Sequence, residues 1–390
     1  MYFFKNQSSV IMYSKQNPFK AKISSKQLLV KDGSSKQTYH LALDITGSDL
    51  KYKPGDSIAI FPKNNPLLVE HLLKVLNASG DEIITDKRSG LETTIGNFLT
   101  YNANLSRLTS SFLKVIFENE DLQENKAKLD TLFQKENKDK LMEYLARHQP
   151  ADVLEEYNIK NIPLQEVCSQ FSPLLPRFYS ISSAQKAHPN EIHLTVALYT
   201  FSHNGEQKFG VASHFLCNLA AENHTDIPLY IHPTQTFTLP ENIDAPIIMV
   251  GPGTGVAPFR AFLQERISSN SNGKNWLFFG ERNKDSDFFY GDYFSDLESQ
   301  GKLKLSLAFS RDQDEKVYVQ HKMLENSKEL WNWLEQGAYF YVCGDAEKMA
   351  KDVDLALQEI AKKEGNFSEE EAKQYIKLLR SQKRYRADVY

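Results

Sequence analysis

Three glycines, Gly251, Gly253 and Gly255, close the apolar run IIMV and lead into PFRAFLQERI. A strand that breaks into alternating glycines before a helix starting at Pro258 lets main-chain N–H groups close on a phosphate, which the positive helix end also favours. The chemistry would be dinucleotide binding, although the spacing is not G-x-G-x-x-G and a tight connection alone also explains it. Four further places carry candidate groups. In Arg177-Phe178-Tyr179-Ser180, alternation sends Arg177 and Tyr179 to one face, where a guanidinium and a ring could hold a phosphate and a flat ring system. A barrel strand with a solvated arginine fits the same four residues. Gly210-Val211-Ala212-Ser213 heads the apolar HFLCNLA, which suits a phosphate or a plain helix start with Ser213 as N-cap. Ser310-Arg311, with Lys316 and Tyr318 close behind, could grip a dianion such as the 2′-phosphate of NADP, or form a charged turn. Cys343-Gly344-Asp345 follows YFYV, where ligands bind in doubly wound sheets, yet most single cysteines are buried small residues. The final stretch, YRADVY, would by itself be expected to fray.

The elements that must position these groups follow from the hydrophobic pattern. A chain of 390 residues, 41% hydrophobic and 25% charged, reads as a globule of two domains. Residues 1–17 form an expected polar arm. From Pro18 onward AKISSKQLLV, QTYHLALDI and DSIAIFP are short β segments parted by Asp32-Gly33 and Pro54-Gly55. Over about residues 66–163 helical spacing predicts an all-helical insertion. Strand character returns in RFYSISS, EIHLTVALYTF and IPLYIHP, so the segments flanking the insertion complete one antiparallel β-barrel over 18–240. After a linker at Pro240 to Pro246, strands alternate with helices, predicting an α/β parallel-sheet domain over 241–390. A net charge of −4 gives no basic field for nucleic acid. Cys168, Cys217 and Cys343 lack zinc-ligand spacing and are too few for a disulfide framework, so no metal and a reducing compartment are expected. No apolar window reaches membrane-spanning length, and a cytoplasmic location follows.

Read jointly, these places resemble the ferredoxin–NADP reductase family, most closely its diflavin-reductase branch, which includes NADPH–cytochrome P450 reductase and the flavoprotein subunit of NADPH-dependent sulfite reductase. The resemblance spans about residues 20–390. It runs from YKPGDSIAIFPKN through RFYSISSA, HPNEIHLTVALY, GVAS, GPGTGVAPFRAFLQER, FFGERN, AFSRDQDEKVYVQHKM and YVCGDAEKMAKDV to RYRADVY, whose ending leans toward the sulfite reductase subunit. It implies an NADPH-dependent FAD flavoprotein reductase, in which hydride passes from NADPH to FAD and electrons then leave singly. Arg177, Phe178, Tyr179 and Ser180 would bind FAD. Thr195, Val196 and Ala197 would line the flavin, and Gly210, Val211, Ala212 and Ser213 its pyrophosphate. Gly251, Pro252, Gly253 and Thr254 would cradle the NADPH pyrophosphate, while Ser310, Arg311, Lys316 and Tyr318 recognise the 2′-phosphate with Gln320 and Asp352 completing the pocket. Ser180, Cys343 and Asp388 match the hydride-transfer group, and Tyr390 the aromatic that stacks on the flavin.

Two departures matter. Only about 17 residues precede the first family strand, which leaves no space for the FMN domain of that branch. The acceptor is therefore expected to be a separate protein, a sulfite reductase hemoprotein or a flavodoxin-type carrier. Phe201 stands where the branch tends to have tyrosine near FAD. A general ferredoxin or flavodoxin–NADP reductase is the alternative among enzymes, against which the helical insertion and the RADVY ending speak. A cofactor-binding partner subunit without turnover is the alternative of another class, against which the joint presence of Ser180, Cys343, Asp388 and Tyr390 speaks.

Overall fold

The structure, a computed structural model, describes residues 13–157, 162–203 and 205–390, so most of the expected N-terminal arm lies outside the described residues. Strands β1 (Phe19–Leu28), β2 (Thr38–Asp44) and β3 (Ser57–Ile60) come first. Helix α1 (Pro66–Val75), a short hairpin β4 (Ile83–Thr85) and β5 (Glu92–Thr94), and helices α2 (Ile95–Tyr101), α3 (Ser110–Asn119), α4 (Gln123–Phe133), α5 (Lys138–Arg147), α6 (Pro150–Glu156) and α7 (Leu164–Cys168) follow. Then come β6 (Arg177–Ser180), β7 (Glu191–Ala197), the hairpin β8 (Thr200–His203) and β9 (Glu206–Phe209), helix α8 (Val211–His214) and β10 (Ile227–His232). The last part comprises β11 (Ile247–Val250), α9 (Ala257–Ser268), β12 (Asn275–Glu281), α10 (Lys284–Asp287), α11 (Gly291–Ser299), β13 (Lys304–Phe309), α12 (Val319–Glu325), α13 (Ser327–Glu335), β14 (Tyr339–Gly344), α14 (Met349–Gly365), α15 (Glu369–Ser381) and β15 (Tyr385–Val389).

These elements gather into two compact units. One holds residues 1–59, 178–197 and 221–390, the other residues 60–177 and 198–220. Strands β6, β3, β10, β1, β2 and β7 form a six-stranded sheet in that order. β1 pairs antiparallel with both β10 and β2, and β2 with β7. A register shift between Ile23 and Ser25 bends β1 against β2, which curls the sheet. A bridge between Ile181 and Leu194 then joins the two ends of that order, so the predicted barrel closes. The insertion is helical as predicted apart from β4 and β5, whose three-residue strands carry no periodicity to read. Its interior is a separate apolar cluster including Leu72, Phe98, Phe112, Leu113 and Phe171.

The parallel sheet runs β13-β12-β11-β14-β15. Ile247, Ile248, Met249 and Val250 of its central strand are fully buried, the continuous apolar run that a sheet covered on both faces requires. Ile248 and Val250 pack with Val319, Leu330 and Leu357 on one side; Ile247 and Met249 pack with Phe259, Phe262 and Leu263 of α9 on the other. PFRAFLQERI, which reads as amphipathic, is not so in place. Ala257, Pro258, Phe259, Ala261, Phe262, Leu263, Gln264 and Arg266 are all buried, because barrel residues cover the side of α9 turned from the sheet: Arg260 donates to Ser182 O at 2.7 Å and Gln264 Oε1 accepts from Ala184 N at 3.0 Å.

Candidate functional site

The glycine turn is shaped by close backbone approach. A Cβ on Gly251 would lie 2.6 Å from Gly255 O, and one on Gly255 only 2.1 Å from Cys343 O. Gly253 has φ +58°, in the left-handed region that glycine enters without penalty. The turn Gly253–Val256 and α9 behind it thus leave bare backbone at the carboxyl end of the sheet, which fits the phosphates of a dinucleotide. Beside it opens a cleft of about 480 Å³ lined by Pro252, Gly253, Ser310, Tyr318, Gln320 and Asp352 among others. Gln320 donates to Asp352 at 3.2 Å, and Arg311 and Lys316 are exposed. Lys36, Glu281 and Arg282 also line the cleft, with Lys36 Nζ 2.5 Å from a Glu281 carboxylate whose side chain is 4% exposed. Sequence reasoning assigned them no role. FFGERN marked a strand end, but Lys36 comes from the β1–β2 loop and no motif announces it.

Cys343 on β14 and Asp388 on β15 are partners in parallel register. Ser180 at the end of β6 donates its hydroxyl to Asp388 Oδ2 at 3.1 Å. The Tyr390 hydroxyl lies 3.0 Å from Thr254 Oγ1, and Tyr390 N–H donates to Gly344 O at 3.1 Å. Ser180, Cys343 and Asp388, from three different strands, are thus brought together, with Tyr390 against the glycine turn, and the chain end that looked set to fray is an edge strand. Cys343 is completely buried; burial, then the Asp388 charge, hold its thiol well above the ordinary value, against a hydrogen bond from Ser180 that lowers it. It is a neutral thiol at physiological pH. Burial raises the Asp388 carboxyl, with the Ser180 bond opposing. Its ionisation therefore weighs against folding. That handicap is absent below the ordinary value of 3.8, grows as pH rises, and is full above the raised native value. Asp388→Asn should accordingly melt above the wild type at pH 8, with the gap narrowing as pH is lowered toward 3.8. A gap independent of pH in thermal denaturation would show that the carboxyl charge is not its source.

The remaining expected flavin residues divide. Tyr179 is half-buried and Phe178 exposed, its ring 5.0 Å from that of His232. Ala197 is exposed, whereas Val196 is wholly buried and reaches no surface where a ligand could touch it. The Thr195 hydroxyl is 2.7 Å from that of Tyr290. Arg177, Phe201 and Gly210 to Ser213 belong to the other unit, in which Phe201 lies 6.0 Å from the Tyr199 ring. Gly210, not Ser213, caps α8. The Ser213 hydroxyl donates back to Gly210 O and accepts from Tyr199 N, both at 3.1 Å, so it stands one turn inside the helix and pins the preceding loop.

A buried polar junction escaped the sequence entirely. Tyr290, with φ +56°, directs its hydroxyl to Thr195 and, at 3.0 Å, to His40 Nδ1. Arg260 lies over the Tyr290 ring at 4.9 Å and beside His193 Nδ1 at 3.4 Å. His193 Nε2 is 3.0 Å from Glu191. His188, Glu191 and His193 bring possible metal-ligand atoms within 4.8 Å of one another, a grouping invisible to a search for cysteine spacing. Both ring nitrogens of His193 already face protein partners.

Comparison with known families now bears on this geometry. A model described as "FAD binding domain" matches residues 12–215, more than half of the chain. The chain belongs to that family. A second model, "Oxidoreductase NAD-binding domain", matches residues 249–354, which contain the glycine turn, Ser310, Cys343 and Asp352. FAD and NADPH are the cofactors of these two domains. The sequence is 40% identical over 389 residues to the sulfite reductase [NADPH] flavoprotein alpha-component of Bacillus subtilis, covering 99% of this chain and 63% of the relative. It is 41% identical over 381 residues to that of Vibrio parahaemolyticus, covering 97% and 59%. The chain thus spans about three-fifths of the length of these curated relatives. Among the described residues no helix is long and apolar enough to cross a membrane.

Proposed function

We propose that the chain is an NADPH-dependent FAD flavoprotein reductase that passes electrons to a separate acceptor, a sulfite reductase hemoprotein or a flavodoxin-type carrier. Residues 18–240, with the insertion at about 66–163, serve as the FAD module, and residues 241–390 as the NADP module. The observation that carries this reading is the assembly of Ser180, Cys343 and Asp388 beside a glycine turn that Tyr390 touches through Thr254. The names of the relatives support the acceptor, and three buried free thiols support a reducing, cytoplasmic setting.

When bound, the two cofactors supply the hydride chemistry themselves; the chain binds, orients and excludes water. Phe178, Tyr179, Ser180 and Ala197 are the FAD residues of one unit, and Arg177, Phe201 and Gly210 to Ser213 those of the other. Gly253 and Thr254 offer main-chain N–H groups to the NADPH pyrophosphate, while Gly251, whose N–H donates to Phe278 O at 3.0 Å, and Pro252, which has none, shape the cradle. Ser310, Arg311, Lys316 and Tyr318 grip the 2′-phosphate, with Gln320 and Asp352 alongside. Ser180 would position the nicotinamide, the buried neutral Cys343 thiol would back it from within the sheet, and the Asp388 carboxylate would favour the positive charge of an oxidised nicotinamide. Tyr390 occupies the nicotinamide's place at rest and must swing aside.

The purified protein should yield FAD on extraction. Arg311→Ala should raise the KM for NADPH about tenfold or more while leaving that for NADH unchanged, since only NADPH presents a dianion to the guanidinium. Equal losses with both cofactors in steady-state assays would remove Arg311 from 2′-phosphate recognition, and a protein without FAD would end the reading.

A further inference from the structure

Far along α9 from the glycine turn, Arg266 is 1% exposed, and none of its three guanidinium nitrogens has a hydrogen-bond partner among the described residues. The acid whose charge reaches it, Asp244, is engaged by the Asn272 N–H at 2.8 Å, and the nearby Tyr341 hydroxyl donates to Thr238 O at 2.7 Å. One terminal nitrogen lies 2.0 Å from where a Cβ on Gly273 would stand, so the absent side chain leaves the guanidinium facing the loop that Gly273 belongs to. A cavity of about 450 Å³ opens there, lined by Arg266, Gly273, Lys274, Asn275 and Lys302 among others. Asn275 spends its amide hydrogens on Gly273 O at 3.2 Å and Lys302 O at 2.9 Å, while its Oδ1 is buried without a donor. Lys274 and Lys302 are exposed at the rim.

A buried cation with no partner is costly, and native structures rarely keep one unanswered. The wall therefore has a definite chemistry: a fixed fork of N–H donors, the exposed Lys302 at the rim with Lys274, whose ammonium lies 5.9 Å from the Trp333 ring, and one acceptor that needs a hydrogen. We propose that this cavity binds a phosphate group. Its ionised oxygens accept from Arg266 and the rim lysines, as guanidinium forks favour. A remaining P–OH, which phosphate keeps near neutral pH and sulfate does not, donates to Asn275 Oδ1.

Titration calorimetry of inorganic phosphate into the FAD-loaded full chain, at ionic strength held constant with chloride, tests this. Arg311→Ala removes phosphate binding in the dinucleotide cleft and should leave a saturable site. In that background Lys274→Glu with Lys302→Glu, two exposed changes that spare the buried guanidinium, should weaken the site about tenfold or more. Sulfate should bind more weakly than phosphate. Glycerol 3-phosphate, whose dianion keeps no P–OH, should likewise bind more weakly than inorganic phosphate; binding as tight as inorganic phosphate would overturn the hydrogen bond to Asn275 Oδ1. Equal binding by the charge-reversed variant, or none beyond the chloride control, overturns the proposal and leaves Arg266 to buried water.

Discussion

Gly255→Ala is expected to lower the unfolding free energy by about 3 kcal/mol or more, beyond the usual range for adding one methyl group. The new Cβ would stand 2.1 Å from Cys343 O, 2.8 Å from its carbonyl carbon and 3.3 Å from Gly344 Cα. All three are main-chain atoms, so no rotamer can turn away. Nor can β14 retreat. Val342 is in register with Val250 of β11, and Cys343 with Asp388 of β15, so moving the carbonyl strips ladder bonds from both neighbours. Gly253→Ala is the control, because the nearest atom there is a carboxylate oxygen at 3.4 Å. It should cost only the left-handed backbone penalty, about 1–2 kcal/mol. Urea unfolding of both variants decides the matter. Equal, small losses would mean that the turn and β14 are not in contact. The same displacement would pull Cys343 from Ser180 and Asp388, so any folded Gly255→Ala protein should reduce flavin slowly.

Acidification from pH 7 to pH 5 should cost the wild type several kcal/mol through the junction around Arg260. Burial and then the Arg260 charge hold His40 down to about 3. Burial holds His193 at about 4, although its bond to Glu191 works in the opposite direction. His188 is lowered by burial and Arg260 as well. All three are neutral in the fold and ionise near 6.5 once unfolded. Stability is therefore full above 6.5 and is lost as pH falls from there toward the depressed native values, at roughly 1.4 kcal/mol per pH unit for each fully shifted histidine. At pH 5 that is about 2 kcal/mol apiece for His40 and His193. Urea midpoints across this range should fall much less in a His40→Gln, His193→Gln protein. If both proteins lose the same amount, the acid sensitivity lies elsewhere.

What could be read in advance follows a physical division. The glycine turn was legible because backbone proximity to a phosphate or a strand permits few residues besides glycine, and the insertion was legible because its apolar residues keep helical spacing. β15 was not, since YRADV alternates arginine and aspartate like a loop and becomes a strand only because β14 offers it an edge. EIHLTVALYTF reads as one strand but divides after Ala197, where Tyr199 N turns to the Ser213 hydroxyl. Arg260 and Arg266 sit six residues apart on a helix whose composition promised a solvated face. Arg260 is half-buried against barrel residues distant in sequence, and Arg266 is buried where the Gly273 loop turns back on Asp244, contacts about which local periodicity says nothing.

The barrel's strand order also sets a timetable for folding. Phe19 must find Leu229, and Thr38 must find Ala197, before the seam between Ile181 and Leu194 can close. Contacts so distant along the chain are slow to form, because a long loop must be closed before they contribute. The insertion's helices meet near neighbours and so can condense first. A growing chain therefore carries the β1–β2 hairpin with its β2 edge open until residue 197 and its β1 edge open until residue 232 has been made, and in that interval it is most exposed to aggregation.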